Sequence, residues 1–158
     1  MDEKIIALKN LLNNPKDIVI SVHKGPDGDA LGSALALYSI LDRLNHNVNI
    51  ISPNNYASFL YWMKGNENVI LFSEDEDKAR DITVDADLIF LLDFNNLSRI
   101  GMYSQVISNS SATKIMIDHH QDPDHNEADI IFSDTSACST SQLLFEVLED
   151  LGFVDLID

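Results

Sequence analysis

Seven side chains with metal-binding or acid–base chemistry stand at the ends of apolar segments of the sequence. They are four carboxylates and three imidazoles: Asp27, Asp29, Asp93, Asp118, His23, His119 and His120. Carboxylate oxygens with imidazole nitrogens suit Mn²⁺ or a similar divalent ion, and the set contains no thiolate. Because seven groups are more than one ion needs, the set fits two metal ions bridged by a shared carboxylate, an arrangement used for in-line attack on phosphorus.

A purely structural explanation exists for part of this set. Asp29 could cap the helix that follows it, since Asp is preferred at helix N-termini, and His23 could simply end a strand. The complete set is harder to explain in this way, because a charge at the end of a buried strand is costly unless it is paired or metal-bound. We therefore favour the metal site.

Strands that alternate with helices predict an α/β fold with a mostly parallel sheet flanked by helices, in three layers α/β/α. Continuous apolar runs are typical of parallel strands buried on both faces. Because the carboxyl ends of parallel strands share one edge, we expect the seven side chains to meet there. The strands are predicted over residues 18–22, 48–51, 69–72, 88–93, 114–118 and 130–132.

Composition limits the partners of the chain. Its 158 residues suffice for one domain with a core. Its formal net charge of −16 repels polyanions, which excludes a basic groove for double-stranded nucleic acid. No apolar run approaches the roughly 20 residues that span a bilayer, so we expect no membrane partner. The acidic N-terminus is unlike a signal peptide and the single cysteine fits a reducing compartment, so we expect a cytoplasmic location.

The spacing of these residues resembles a known family. His23-x-x-Pro26-Asp27-x-Asp29-Ala30-x-Gly32-Ser33, then Asp93, then Asp118-His119-His120 are similar to motifs I, II and III of the DHH phosphoesterase superfamily. Within it, Leu97-Ser98-Arg99-Ile100-Gly101 and Ser139-Thr140-Ser141-Gln142 most resemble the bacterial nanoRNase subfamily. Its members degrade short RNA oligonucleotides, and many dephosphorylate phosphoadenosine phosphate (pAp).

The resemblance implies a ligand set for two Mn²⁺ ions, with Mg²⁺ or Co²⁺ as alternatives. His23 and Asp27 would hold the first ion. Asp29 and His119 would hold the second, and Asp93 would bridge the two. Short RNA or a nucleotide would be the substrate.

The resemblance also implies roles in catalysis. His120 would face the scissile phosphate. Asp118 would orient a histidine without itself binding a metal ion. Arg99 is a candidate substrate-binding residue that contacts phosphate, with a solvated surface arginine as the alternative.

The chain departs from the family pattern in several places. Gly25 stands where motif I usually has Asn, and Gln142 where an acidic residue is common. A fourth motif, an Asp in an Asp-Thr-Gly-like turn, and a second DHH-associated domain that supplies basic contacts are both missing before Asp158. We therefore expect residues 1–158 to be a C-terminally truncated DHH phosphoesterase catalytic domain, the acidic half of a protein about twice as long.

The expected function is a metal-dependent phosphodiesterase or phosphatase for short oligoribonucleotides and pAp. Three alternatives stay open: a pyrophosphatase or exopolyphosphatase, a cyclic-dinucleotide phosphodiesterase, and a metal-binding fragment without turnover. An apolar face left for the second domain could also support a homodimer.

Five residues outside the motifs have structural expectations. His46 lies in a polar turn and is expected to be exposed. Cys138 is expected to be a small packing residue. Tyr56, Phe59 and Trp62 could stack a nucleobase, but core packing is the favoured use.

Overall fold

The computed structural model describes residues 3–157 and shows five helices and six strands within them. The helices are α1 (Glu3–Leu11), α2 (Gly28–Arg43), α3 (Glu76–Val84), α4 (Tyr103–Asn109) and α5 (Thr140–Leu151). The strands are β1 (Asp17–Val22), β2 (Asn47–Ser52), β3 (Val69–Leu71), β4 (Leu88–Leu92), β5 (Thr113–Asp118) and β6 (Ile130–Ser133). The predicted strands are confirmed, and the second helix begins at Gly28, earlier than its apolar pattern indicates.

The strands form one parallel sheet with the order β3-β2-β1-β4-β5-β6. From β1 the chain moves outward to β2 and β3, and it then returns to β4 and moves outward in the other direction. The carboxyl ends of β1 and β4 therefore flank the point where the strand order reverses, which is the usual ligand position in open α/β sheets.

Helices cover both faces of the sheet, so the three-layer expectation is confirmed. Ile18 and Ile20 of β1 pack in a core cluster with α1, α2 and α5. Val19 faces the opposite way, into a second cluster with α3 and α4. Alternate residues of a strand point to opposite faces, so burial on both faces explains the continuous apolar runs of β1 and β4.

The turn into α2 is held by Asp27 and not by Asp29. Asp27 is the N-cap, and its Oδ1 accepts hydrogen bonds from the backbone N–H groups of Asp29 and Ala30, both at 3.0 Å. The sequence-based alternative that Asp29 caps this helix is therefore wrong. With the cap supplied by Asp27, the Asp29 side chain is free to point elsewhere.

Three expectations for residues outside the motifs are also wrong. Phe59 and Trp62 are 73% and 79% exposed, because they lie on a short irregular segment after β2 whose inward contact is made by Leu60. Cys138 is exposed in the turn before α5. The core-packing expectation is confirmed for Tyr56, which is partly buried against the core.

Within residues 3–157, no helix has the length and apolar character needed to cross a bilayer.

His46 is buried, contrary to expectation. Its Nδ1 accepts a hydrogen bond from the backbone N–H of Lys16 at 3.1 Å, and Nε2 has no hydrogen-bond partner among the described residues. Burial, together with the Lys16 charge, lowers the pKa of His46 below its usual range. The neutral ring is therefore the form that the fold accommodates.

We expect His46 to weaken the fold as the pH falls. Below the ordinary histidine pKa, the unfolded chain takes up a proton at this position that the folded chain resists, so the free energy of unfolding decreases on acidification. In His46→Gln, whose amide oxygen can still accept from Lys16, this loss should be absent. Urea titrations of both proteins between pH 7.5 and pH 5 test this, and equal slopes of stability against pH would contradict it.

Candidate metal centre

His23 follows β1 directly and presents one ring nitrogen to the sheet edge. Its Nδ1 lies 3.0 Å from the carbonyl oxygen of Lys24. This contact places the proton on Nδ1 and leaves the lone pair of Nε2 available to a metal ion. Nε2 lies 3.5 Å from Oδ2 of Asp93. The Asp93 carboxylate raises the pKa of His23 above its ordinary value despite burial.

Asp93 occupies the centre of the site. It follows β4 with a φ of 66°, in the left-handed region, and its side chain is buried. Its Oδ2 faces His23, whereas its Oδ1 lies 3.7 Å from Nε2 of His119. A non-glycine residue with positive φ is strained and such residues cluster at functional sites. The strained backbone here holds one carboxylate between two imidazoles.

His119 follows β5 and is oriented in the same way as His23. Its Nδ1 lies 3.3 Å from the carbonyl oxygen of Ala137, which turns Nε2 toward the carboxylates. Nε2 is 3.8 Å from Oδ2 of Asp29 and 3.7 Å from Oδ1 of Asp93. Nε2 of His119 therefore faces both carboxylates, as a ligand of one ion held together with Asp29 and Asp93 would.

The distances between these donor atoms fit metal ions better than direct hydrogen bonds. Separations of 3.5–3.8 Å exceed the range of N–H···O bonds. Two ligands at about 2.0–2.2 Å from one ion lie roughly 3–4 Å apart. Ligand atoms converge within 4.8 Å in two overlapping groups that share Asp93: His23, Asp27 and Asp93; and Asp93, His119 and His120. The donor set thus fits two divalent cations.

Asp29 is held mainly by the start of α5. Its Oδ2 accepts from the backbone N–H of Thr140 at 2.8 Å, and its Oδ1 accepts from the N–H and Oγ of Ser141 at 2.9 and 2.6 Å. Burial opposes ionisation of Asp29, but the hydrogen bonds from Ser141 and Thr140 outweigh it and lower the pKa of the carboxyl. Asp29 is therefore a fixed, charged carboxylate beside His119.

Asp118 ends β5 as a fully buried side chain that contacts His120 twice. Its Oδ1 lies 2.7 Å from Nδ1 of His120, and its Oδ2 accepts from the His120 backbone N–H at 3.1 Å. The carboxylate engages Nδ1 of the ring, which makes Nε2 the ring nitrogen available for chemistry. A carboxylate–imidazole pair of this kind is suited to proton transfer.

The backbones of two cationic residues meet next to the loop that contains His23. The backbone N–H of Lys24 donates to the carbonyl oxygen of Arg99 at 2.9 Å, and both residues are exposed. The structure therefore places Arg99 beside the loop that contains His23. Lys24 was missed as a candidate because a single lysine in a turn carries no pattern.

The order of these groups along three neighbouring strands is matched by a protein-family model. The model of the DHH family, N-terminal domain, matches residues 17–156. The chain belongs to the DHH family. This result confirms the family resemblance, and the structure confirms the α/β fold that the alternation of strands and helices predicts.

Several proteins are similar to this DHH chain. The bifunctional oligoribonuclease and PAP phosphatase NrnA of Bacillus subtilis is 30% identical over 82% of this chain and 37% of its own length. The cyclic-di-AMP phosphodiesterase GdpP of the same organism is 25% identical over 90% of this chain and 22% of its own length. An exopolyphosphatase-related protein from Bacteroides fragilis has 38% identity and a TM-score of 0.95, covering 98% of this chain and 45% of that one. The chain thus spans less than half the length of each.

Proposed function

We propose that this DHH domain is the metal-binding part of a Mn²⁺-dependent phosphoesterase that hydrolyses short oligoribonucleotides and pAp. The observation that carries the proposal is Asp93, whose two oxygens face His23 on one side and His119 on the other. A single carboxylate shared by two imidazoles is the arrangement expected of a bridging ligand. In the proposal, His23 and Asp27 hold one ion, and Asp29 and His119 hold the other.

The ions, when bound, would neutralise the phosphate charge and activate water. The protein side chains have separate tasks. The lone pairs on Nε2 of His23 and His119 are kept available by the carbonyl contacts of their Nδ1 atoms. His120, held by Asp118 through Nδ1, donates a proton from Nε2 to the leaving oxygen.

The charge of the chain supports a short substrate. A net charge of −16 disfavours long polyanions, whereas a nucleotide with one or two phosphates needs only local neutralisation. Lys24 and Arg99, whose backbones are joined by a hydrogen bond next to His23, are the exposed cations that we assign to phosphate contacts in this proposal. Similarity to NrnA, which is named for activity on oligoribonucleotides and PAP, supports the same substrate class.

A cyclic dinucleotide is the second candidate substrate. The specific observation in its favour is the similarity to GdpP over 90% of this chain, which includes all the proposed ligands. The similarity to an exopolyphosphatase-related protein makes polyphosphate a necessary control substrate.

A substrate panel with the full chain and Mn²⁺ tests the proposal. We expect release of phosphate from pAp and of AMP from the RNA dinucleotide pApA, and no turnover of tripolyphosphate. Cleavage of cyclic di-AMP without turnover of pAp would favour the second candidate. Bound Mn²⁺ with no turnover of any substrate would identify residues 1–158 as a metal-binding part that has no turnover by itself.

A further inference from the structure

The first turn of α5 contacts two carboxylates of the metal centre. Ser139 caps the helix through its Oγ, which accepts from the N–H of Gln142 at 3.0 Å. The N–H groups of the next residues have no partner within the helix, as at any helix start. Thr140 and Ser141 donate theirs to Asp29, a residue 111 and 112 positions earlier in the chain. The carboxylate of Asp29 therefore completes the start of α5.

Two hydroxyl groups of this turn add further hydrogen bonds. Ser141 Oγ donates to Oδ1 of Asp29 at 2.6 Å. Thr140, which is fully buried, donates from Oγ1 to Oδ1 of Asp93 at 2.7 Å. One helix end thus fixes a carboxylate that follows β1 and another that follows β4.

The acceptor positions of Asp29 are divided between α5 and His119. An ionised carboxylate has about four lone-pair positions. Oδ1 of Asp29 accepts from both Ser141 groups, whereas Oδ2 accepts, among residues 3–157, only from the Thr140 N–H. Oδ2 is also the atom that faces Nε2 of His119, at 3.8 Å. The hydrogen bonds therefore leave a lone pair on the side where an ion shared with His119 would lie.

We propose that Ser141 and Thr140 are positioning residues for the second metal ion. Ser141 orients Asp29 and Thr140 orients Asp93, so that both carboxylates face His119 before the ion arrives. This inference rests on the two-metal function proposed above, and it assigns to α5 the preorganisation of one of the two sites. Among residues 3–157, neither His23 nor Asp27 is hydrogen-bonded to these hydroxyl groups, so the first site depends on them only through the shared Asp93.

The expected effect is on the affinity of the second site. Loss of a hydrogen bond to a ligating carboxylate typically reduces metal affinity by about 10–100-fold. In Ser141→Ala we expect a reduction of this size in the weaker Mn²⁺-binding step, with the tighter step unchanged. Thr140→Val, which keeps the shape of the buried side chain, should weaken the second step and slightly affect the first, because Asp93 is shared.

Calorimetric titration of Mn²⁺ into the full chain measures both steps, and electron paramagnetic resonance reports whether the two ions are coupled. At two equivalents of Mn²⁺, the unchanged protein should show the spectrum of an exchange-coupled pair. Ser141→Ala should shift it toward that of isolated ions, and Ser141→Thr should restore the coupled spectrum. The matched control is Ser104→Ala. It removes an exposed serine hydroxyl of α4, which donates to the carbonyl oxygen of Gly101.

The outcomes separate the inference from the function on which it rests. Two wild-type-like binding steps in both Ser141→Ala and Thr140→Val would overturn the positioning role. Equal weakening of both steps with a lowered melting temperature would also overturn it, since that result indicates only structural damage. If the unchanged chain binds fewer than two ions, the two-metal function itself is overturned. If it binds two and Ser141→Ala binds one tightly, both stand.

Discussion

Asp93→Asn will abolish the binding of two Mn²⁺ ions and reduce turnover of pAp by at least about 10³-fold. The carboxylate is the one group that faces both His23 and His119, so its neutralisation affects both sites. Charge stabilisation by bridged metals contributes several kcal/mol, and each 1.4 kcal/mol corresponds to about tenfold in rate. Asparagine is the right replacement because it tolerates the left-handed backbone that Asp93 adopts.

Two measurements distinguish this effect from unfolding. Without metal, Asp93→Asn should melt at or above the temperature of the unchanged protein, because a buried charge has been removed. The matched control is Asp42→Asn, the same chemical change at an exposed position in the last turn of α2. An Asp93→Asn variant that still binds two ions by calorimetry would refute the bridging role.

His120→Gln should show the second-largest effect, a fall in turnover of about 10²–10⁴-fold with both Mn²⁺ ions retained. This is the usual contribution of a positioned general acid or base. The side chain of His120 is tied to Asp118 through Nδ1, so it is oriented for proton transfer by its Nε2.

The test combines steady-state rates with metal binding. Steady-state turnover of pAp should fall in His120→Gln, whereas calorimetric titration should still show two bound Mn²⁺ ions. Since ligand atoms of His120 also converge with those of Asp93 and His119, a variant that loses one ion would assign His120 as a ligand and contradict the general-acid role.

The sequence predicts the strands well because each central strand is a continuous apolar run, and a strand buried on both faces requires that pattern. It also predicts that Asp93 and Asp118 share an edge, because both residues end such runs. The strand order and the strained backbone of Asp93 are not predictable from local pattern, since neither is encoded in neighbouring residues.

The errors have a common physical cause. The contact of Ser141 with Asp29 joins residues 112 positions apart, and no periodicity within α5 reveals it. His46 looks polar and exposed in its turn but packs against the residues before β1, where Lys16 donates to it. Phe59 and Trp62 look like core residues by composition alone. In each case the tertiary fold decides a position that the local sequence leaves open.

The positive φ of Asp93 determines which residues can replace it once selection for hydrolysis is lost. Glycine occupies the left-handed region without strain, so replacing Asp93 by glycine would relieve the backbone while removing a buried charge. Glycine would, however, remove the acceptor of the buried Thr140 hydroxyl, whereas the amide oxygen of asparagine can still accept from it, so asparagine is the replacement that costs the fold least. Descendants of this domain that have abandoned hydrolysis for a binding or structural task are expected to have Gly or Asn here, with β4 otherwise intact.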